Sequence, residues 1–104
     1  MSEVKLVFDD TIICLAGDGY GRRVCREQVI GKVDLKKPFI LEFPERIKIV
    51  STHFVSGMIN EMLENLDINI DIIRKNITVK GNNHFVETFY WTINKEESKH
   101  SYEN

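Results

Sequence analysis

Apolar positions recur along this chain in two rhythms. Residues 4–8 (Val-Lys-Leu-Val-Phe) and 11–15 (Thr-Ile-Ile-Cys-Leu) are short β-prone runs. The Asp9-Asp10 pair between them predicts a tight hairpin turn. Glycines at 17, 19 and 21 mark a flexible loop. The period then lengthens: Val24, Cys25, Gln28 and Val29 fall on one side of a helix over 21–30, which Gly31 would end. Residues 33–37 read as a linker. Residues 39–43 are apolar except for Glu42, the pattern of a strand buried on both faces, and Pro44 stops them. Ile47 and Ile49 alternate with Arg46 and Lys48, which predicts a second extended segment.

The clearest helix spans 51–66. Phe54, Val55, Met58, Ile59, Met62, Leu63 and Leu66 form one stripe, with His53, Asn60, Glu61 and Glu64 on the other side. The two glutamates read as solvating residues. A turn is expected at 67–69 and one strand within 70–79. After the Gly81-Asn82-Asn83 break, Phe85, Val86, Phe89, Tyr90 and Ile93 make a helical stripe over 84–94. Tyr90 and Trp91 read as core aromatics or as a protein-contact patch. From Lys95 on the composition is polar, and a frayed tail is expected. The order is hairpin, helix, strand, helix, strand, helix: an α/β sandwich with part of its sheet parallel.

Composition narrows the function classes. With 104 residues, 42% hydrophobic, the chain suits one domain with its own core. Net charge is −2, which argues against a basic nucleic-acid binder. No run of about 18 apolar residues is present, and the N-terminus lacks the pattern of a signal peptide, so a cytoplasmic protein off the membrane is expected. Cys14 and Cys25 belong to no C-x-x-C pair and read as structural thiols. The scattered His53, His84 and His100 give no zinc spacing, so no metal or cofactor is expected.

Two places could carry chemistry. Ser51 and Thr52 stand where the 51–66 helix begins. With Ser51 as N-cap, Val50 and Val55 take the positions of a hydrophobic staple, and the Thr52 hydroxyl is left freer near the positive end of the helix dipole. A plain cap, an anion site and a phosphorylation site all fit those hydroxyls. The second place is Gly17–Gly21 with Arg22 and Arg23. Gly19, Gly21 and the two arginines could cradle an anion, although the spacing matches neither the dinucleotide motif nor a P-loop; a mobile turn explains the glycines equally well. His53 follows Thr52 directly, and neighbours on a helix point about 100° apart, so it is poorly placed to act as a base on it. No catalytic set is assigned.

Three pieces in order resemble the STAS-like family of unknown function, a relative of the STAS domains of anti-sigma-factor antagonists. They are Gly21-Arg22-Arg23-Val24-Cys25-Arg26, Phe39-Ile40-Leu41-Glu42-Phe43, and the Ser51-Thr52-x-Phe54 helix start with its Asn60-Glu61-Met62-Leu63. Val50 and His53 stand where that pattern usually has Asp and Gly. The resemblance implies one STAS-like domain over 1–95, a small mixed sheet with helices mainly on one face, and a polar tail over 96–104. It also implies a non-enzymatic regulatory module. Thr52 or Ser51 would be phosphorylated by a histidine-kinase-type ATPase acting as a serine kinase, and His53, Ser56 and Asn60 would belong to the partner-binding surface. The alternatives are a nucleotide- or anion-binding module and a mobile-element-encoded inhibitor on the same fold.

Overall fold

The computed structural model describes residues 2–66 and 68–102, with the backbone alone at 66 and 97–102. The elements are β1 (Ser2–Lys5), β2 (Cys14–Leu15), α1 (Asp18–Gln28), β3 (Phe39–Glu42), β4 (Ile49–Val50), α2 (Thr52–Leu66), α3 (Ile70–Asn76), β5 (Ile77–Lys80) and α4 (Asn83–Tyr102). The described residues form a mixed α/β domain with two small sheets.

Every ladder among the described residues is parallel. β1, β3 and β5 form one sheet in that order, and β2 and β4 form a second. The expected hairpin and mixed sheet are therefore corrected. A turn does form at 9–12, where Asp9 Oδ1 accepts from the N–H and the hydroxyl of Thr11. The flanking runs nevertheless pair with different later strands. Arg46 pins the turn by donating to the Phe8 and Asp9 carbonyls, both at 2.9 Å.

In the three-stranded sheet Val4, Leu41 and Val79 stand in register, as do Ser2, Phe39 and Ile77. Phe39, Leu41, Ile77 and Val79 are buried, whereas Ile40, Glu42, Thr78 and Lys80 are half-buried or exposed. One face is thus covered, and β3 is not buried on both sides as expected. Phe43 continues the covered face, its ring 4.5 Å from Phe85 and 6.2 Å from Phe8. α4 packs on α2, α3, β4 and β5.

The single strand expected in 70–79 divides into α3 and β5. Asn69 caps α3 by accepting from the Ile72 N–H. Ile70, Ile73 and Ile77 follow a helical spacing, and Ile77 and Val79 then alternate as a strand. The helix expected to end at 94 has a backbone that continues to Tyr102. The turn residue Asp67 and the side chains of 97–104 lie outside the described residues.

Candidate functional site

β2 and β4 lie side by side, and each runs directly into a helix. The two helix starts share one hydroxyl. Ser51 Oγ accepts from the Phe54 N–H at 3.1 Å, the N3 bond of an N-cap, and from the Gly17 N–H at 3.3 Å. The Ser51 N–H donates to the Leu15 carbonyl at 2.8 Å. Val50 and Val55, the two staple positions, are both buried. Gly17 precedes α1 with φ +96°, a conformation that favours glycine.

Beyond this junction α1 and α2 touch backbone to backbone. A Cβ at Gly21 would lie 2.1 Å from the Phe54 carbonyl oxygen, and one at Gly57 2.2 Å from that of Asp18. Gly19 and Gly21 therefore sit inside α1 and not in a loop ahead of it, and Gly21 serves a close helix crossing.

Arg22 is directed at acidic side chains. It donates to both Glu64 carboxylate oxygens, at 2.8 and 3.2 Å, and to Asp18 at 3.2 Å, with Glu61 at 3.7 Å. Such a charge-assisted fork occupies the Arg22 guanidinium, which is therefore not free to cradle an anion beside Gly19 and Gly21. Arg26 donates to both oxygens of Glu61, at 3.2 and 3.3 Å, and Asn65 adds a bond of 2.6 Å. Glu61 is thus buried in an ion-pair network between α1 and α2, not solvating as its polar helix face suggested. The Arg26 hydrogen bond holds its carboxyl below the usual range despite burial, and Arg22 does the same for Glu64. Arg23 lies 5.3 Å over the Tyr20 ring and 4.0 Å from Glu27.

The other flank of α2 opens into a cleft of about 420 Å³. Thr52, His53, Ser56 and Asn60 line it from α2, Asp18 from α1, and Thr92, Lys95 and Glu96 from α4. Thr52, one of the two candidate hydroxyls, shares this wall with the His53, Ser56 and Asn60 that the family resemblance implies, whereas Ser51 does not line it. Ser56 donates to Glu96 Oε1 at 2.6 Å, tying α2 to α4. Lys95 Nζ stands 5.2 Å over the ring of Trp91, which is exposed. Thr92, Lys95 and Glu96 were not anticipated as site residues. Their i, i+3, i+4 spacing places them on one side of α4, but only the packing of α4 on α2 brings them to Ser56.

His53 is exposed at the rim, and among the described residues no hydrogen bond joins it to a hydroxyl or a carboxylate. The cleft therefore offers hydrogen-bonding and charged groups from three helices, beside a first-turn hydroxyl, Thr52. No group of three His, Cys, Asp or Glu among the described residues could hold a metal ion, and no described helix is long and apolar enough to cross a membrane. Comparison with known proteins finds no matching family model, no matching curated protein and no matching solved structure.

Proposed function

We propose that this chain is a cytoplasmic, non-enzymatic regulatory module of STAS-like fold that binds a protein partner across the α1–α2–α4 cleft. The observation that carries the reading is the convergence of Thr52, His53, Ser56 and Asn60 with Asp18, Lys95 and Glu96 around one polar opening. A histidine-kinase-type ATPase is the proposed partner, acting also as a serine/threonine kinase. In that step the Thr52 hydroxyl oxygen takes the terminal phosphoryl group of the partner's ATP, ADP leaves, and the hydroxyl proton passes to solvent or to a kinase base.

Thr52 is the proposed acceptor because the Ser51 hydroxyl oxygen already accepts two backbone amides. A phosphate on Thr52 would add about two negative charges to a cleft that already holds Asp18 and Glu96. An acidic partner surface would then be repelled and the complex released.

The test is a pull-down from the native host, with bound proteins identified and affinities measured for wild type, Thr52→Glu and Asn60→Arg. Wild type should retain an ATPase that both variants release, and phosphopeptide mapping should place phosphate on Thr52. Equal binding by all three proteins sinks the proposal. Tight nucleotide binding by the isolated chain would favour the anion-binding alternative instead.

A further inference from the structure

The two edges of the β1–β3–β5 sheet are finished differently. Phe43 donates to the Lys80 carbonyl at 2.8 Å, so Thr78 and Lys80 turn their backbone groups toward β3, and Ile77 and Val79 turn theirs outward. Both outward amides on β5 are engaged: that of Ile77 by the Ile73 carbonyl, and that of Val79 by the Tyr90 hydroxyl at 2.8 Å.

On β1 the Leu6 N–H donates to the Glu42 carbonyl at 2.9 Å. Ser2, Val4 and Leu6 therefore face β3, while Glu3, Lys5 and Val7 face the free edge. The Gln28 side-chain amide closes that edge at Val7. Its Oε1 accepts from the Val7 N–H at 2.8 Å, and its Nε2 donates to the Val7 carbonyl at 2.9 Å. This is the pair of bonds that the backbone N–H and C=O of one residue in an added antiparallel strand would make. Among the described residues no hydrogen bond engages the outward amides of Glu3 and Lys5. A groove of about 500 Å³ runs beside them, walled by Val4, Val7, Glu27 and Lys32.

We propose that β1 pairs antiparallel with β1 of a second copy of this chain, about a two-fold axis at Val4. Outward residues must meet outward residues, which leaves three symmetric registers. Glu3 can face Glu3, Lys5 can face Lys5, or Glu3 can face Lys5 of the other copy. The first two place like charges directly opposite, which is destabilising; the third places opposite charges together twice. In that register each Glu3–Lys5 pair exchanges two backbone hydrogen bonds, and Val4 meets Val4 at the centre. The Gln28 clasp at Val7 ends the ladder on both sides.

The open face supports the same register. Lys80, Glu42 and Lys5 stand in one row across the sheet, with Lys5 and Glu42 4.0 Å apart. Glu3 of the second copy extends that row with its charges still alternating. None of the pairing residues lines the α1–α2–α4 cleft, so the inference stands apart from the proposed partner site.

Sedimentation of wild type from about 10 µM to about 1 mM should show a monomer–dimer equilibrium, since so small an interface binds weakly. In amide exchange, protection of Glu3 and Lys5 should rise with concentration. Glu3→Lys and Lys5→Glu each turn both cross-axis pairs repulsive and should weaken self-association by about tenfold or more. An equimolar mixture of the two variants should recover a heterodimer, because each chain then meets opposite charges. Lys5→Pro removes an outward N–H that the fold does not use, so it should keep the fold and abolish the dimer. A wild type that stays monomeric throughout overturns the proposal, as does self-association unchanged by either reversal or by the proline.

Discussion

Gly57→Ala tests the glycine crossing of α1 and α2 most directly. Helix propensity alone predicts that alanine at this interior position stabilises the protein by about 1 kcal/mol. The structure predicts the opposite sign. The added methyl would sit 2.2 Å from the Asp18 carbonyl oxygen, more than an ångström inside ordinary contact, and the obstacle is backbone that cannot rotate away. To admit it the helices must separate by roughly that amount. A gap of 0.5–1 Å already forfeits about a quarter to a half of the dispersion attraction across it. The Tyr20–Phe54 ring contact at 5.5 Å and the Arg22–Glu64 and Arg26–Glu61 pairs span the same seam and would be pulled apart with it. Overpacking of this kind costs about 1–3 kcal/mol, and loosening the seam adds to it. After the propensity gain is subtracted, a net loss of about 2 kcal/mol remains. For a domain of this size that lowers Tm by about 8–16 °C. Gly21→Ala, 2.1 Å from the Phe54 carbonyl oxygen, should behave alike. Gly19→Ala is the internal control: it lies in the same helix with nothing within 4 Å and should gain about 0.5 kcal/mol. Thermal and urea unfolding of the three variants would settle the matter. If Gly57→Ala melts at or above wild type, the close crossing is not a constraint on the fold.

Acid should act on the same seam. Glu61 and Glu64 have folded carboxyls held below their ordinary value of 4.5, chiefly by hydrogen bonds from Arg26 and Arg22. Their contribution is complete above that value and is lost as pH falls through the depressed folded values, so Tm should be level from about pH 7 to 5 and fall below about pH 4.5. Glu61→Gln should make that acid limb shallower; an unchanged limb refutes the assignment. The two thiols should separate by rate: Cys14 is exposed, whereas burial and the nearby Glu61 push Cys25 up to about 12. A thiol reagent at pH 8 should label one cysteine of the folded protein quickly and Cys25 only at the rate of opening. Equal native rates would contradict the burial.

What the chain discloses of itself follows the range of the forces involved. The α2 stripe from Phe54 to Met62 was legible because every apolar position repeats the helical period locally and is buried in the structure. The α/β alternation was legible for the same reason. Strand partners were not, since residues 4–8 and 11–15 carry the same β-prone character whether they pair with each other or with distant parallel strands. Polar residues were read least well. Glu61 occupies a polar face of its own helix, and its burial depends on Arg22 and Arg26 arriving from another. On the α2 wall of the cleft only Thr52 was legible from the hydroxyls at the helix start, because capping is local chemistry; His53, Ser56 and Asn60 came with the family resemblance. On its α4 wall Lys95 and Glu96 fall in the stretch read as a tail, because Ser56 and Glu96 are brought together only by tertiary packing. The sheet edges belong to the same class. Tyr90 closes β5 from 11 residues away and Gln28 closes β1 at Val7 from 21. No periodicity encodes either bond, yet the two bonds together decide which stretch of backbone, Glu3 to Lys5, remains able to accept another strand.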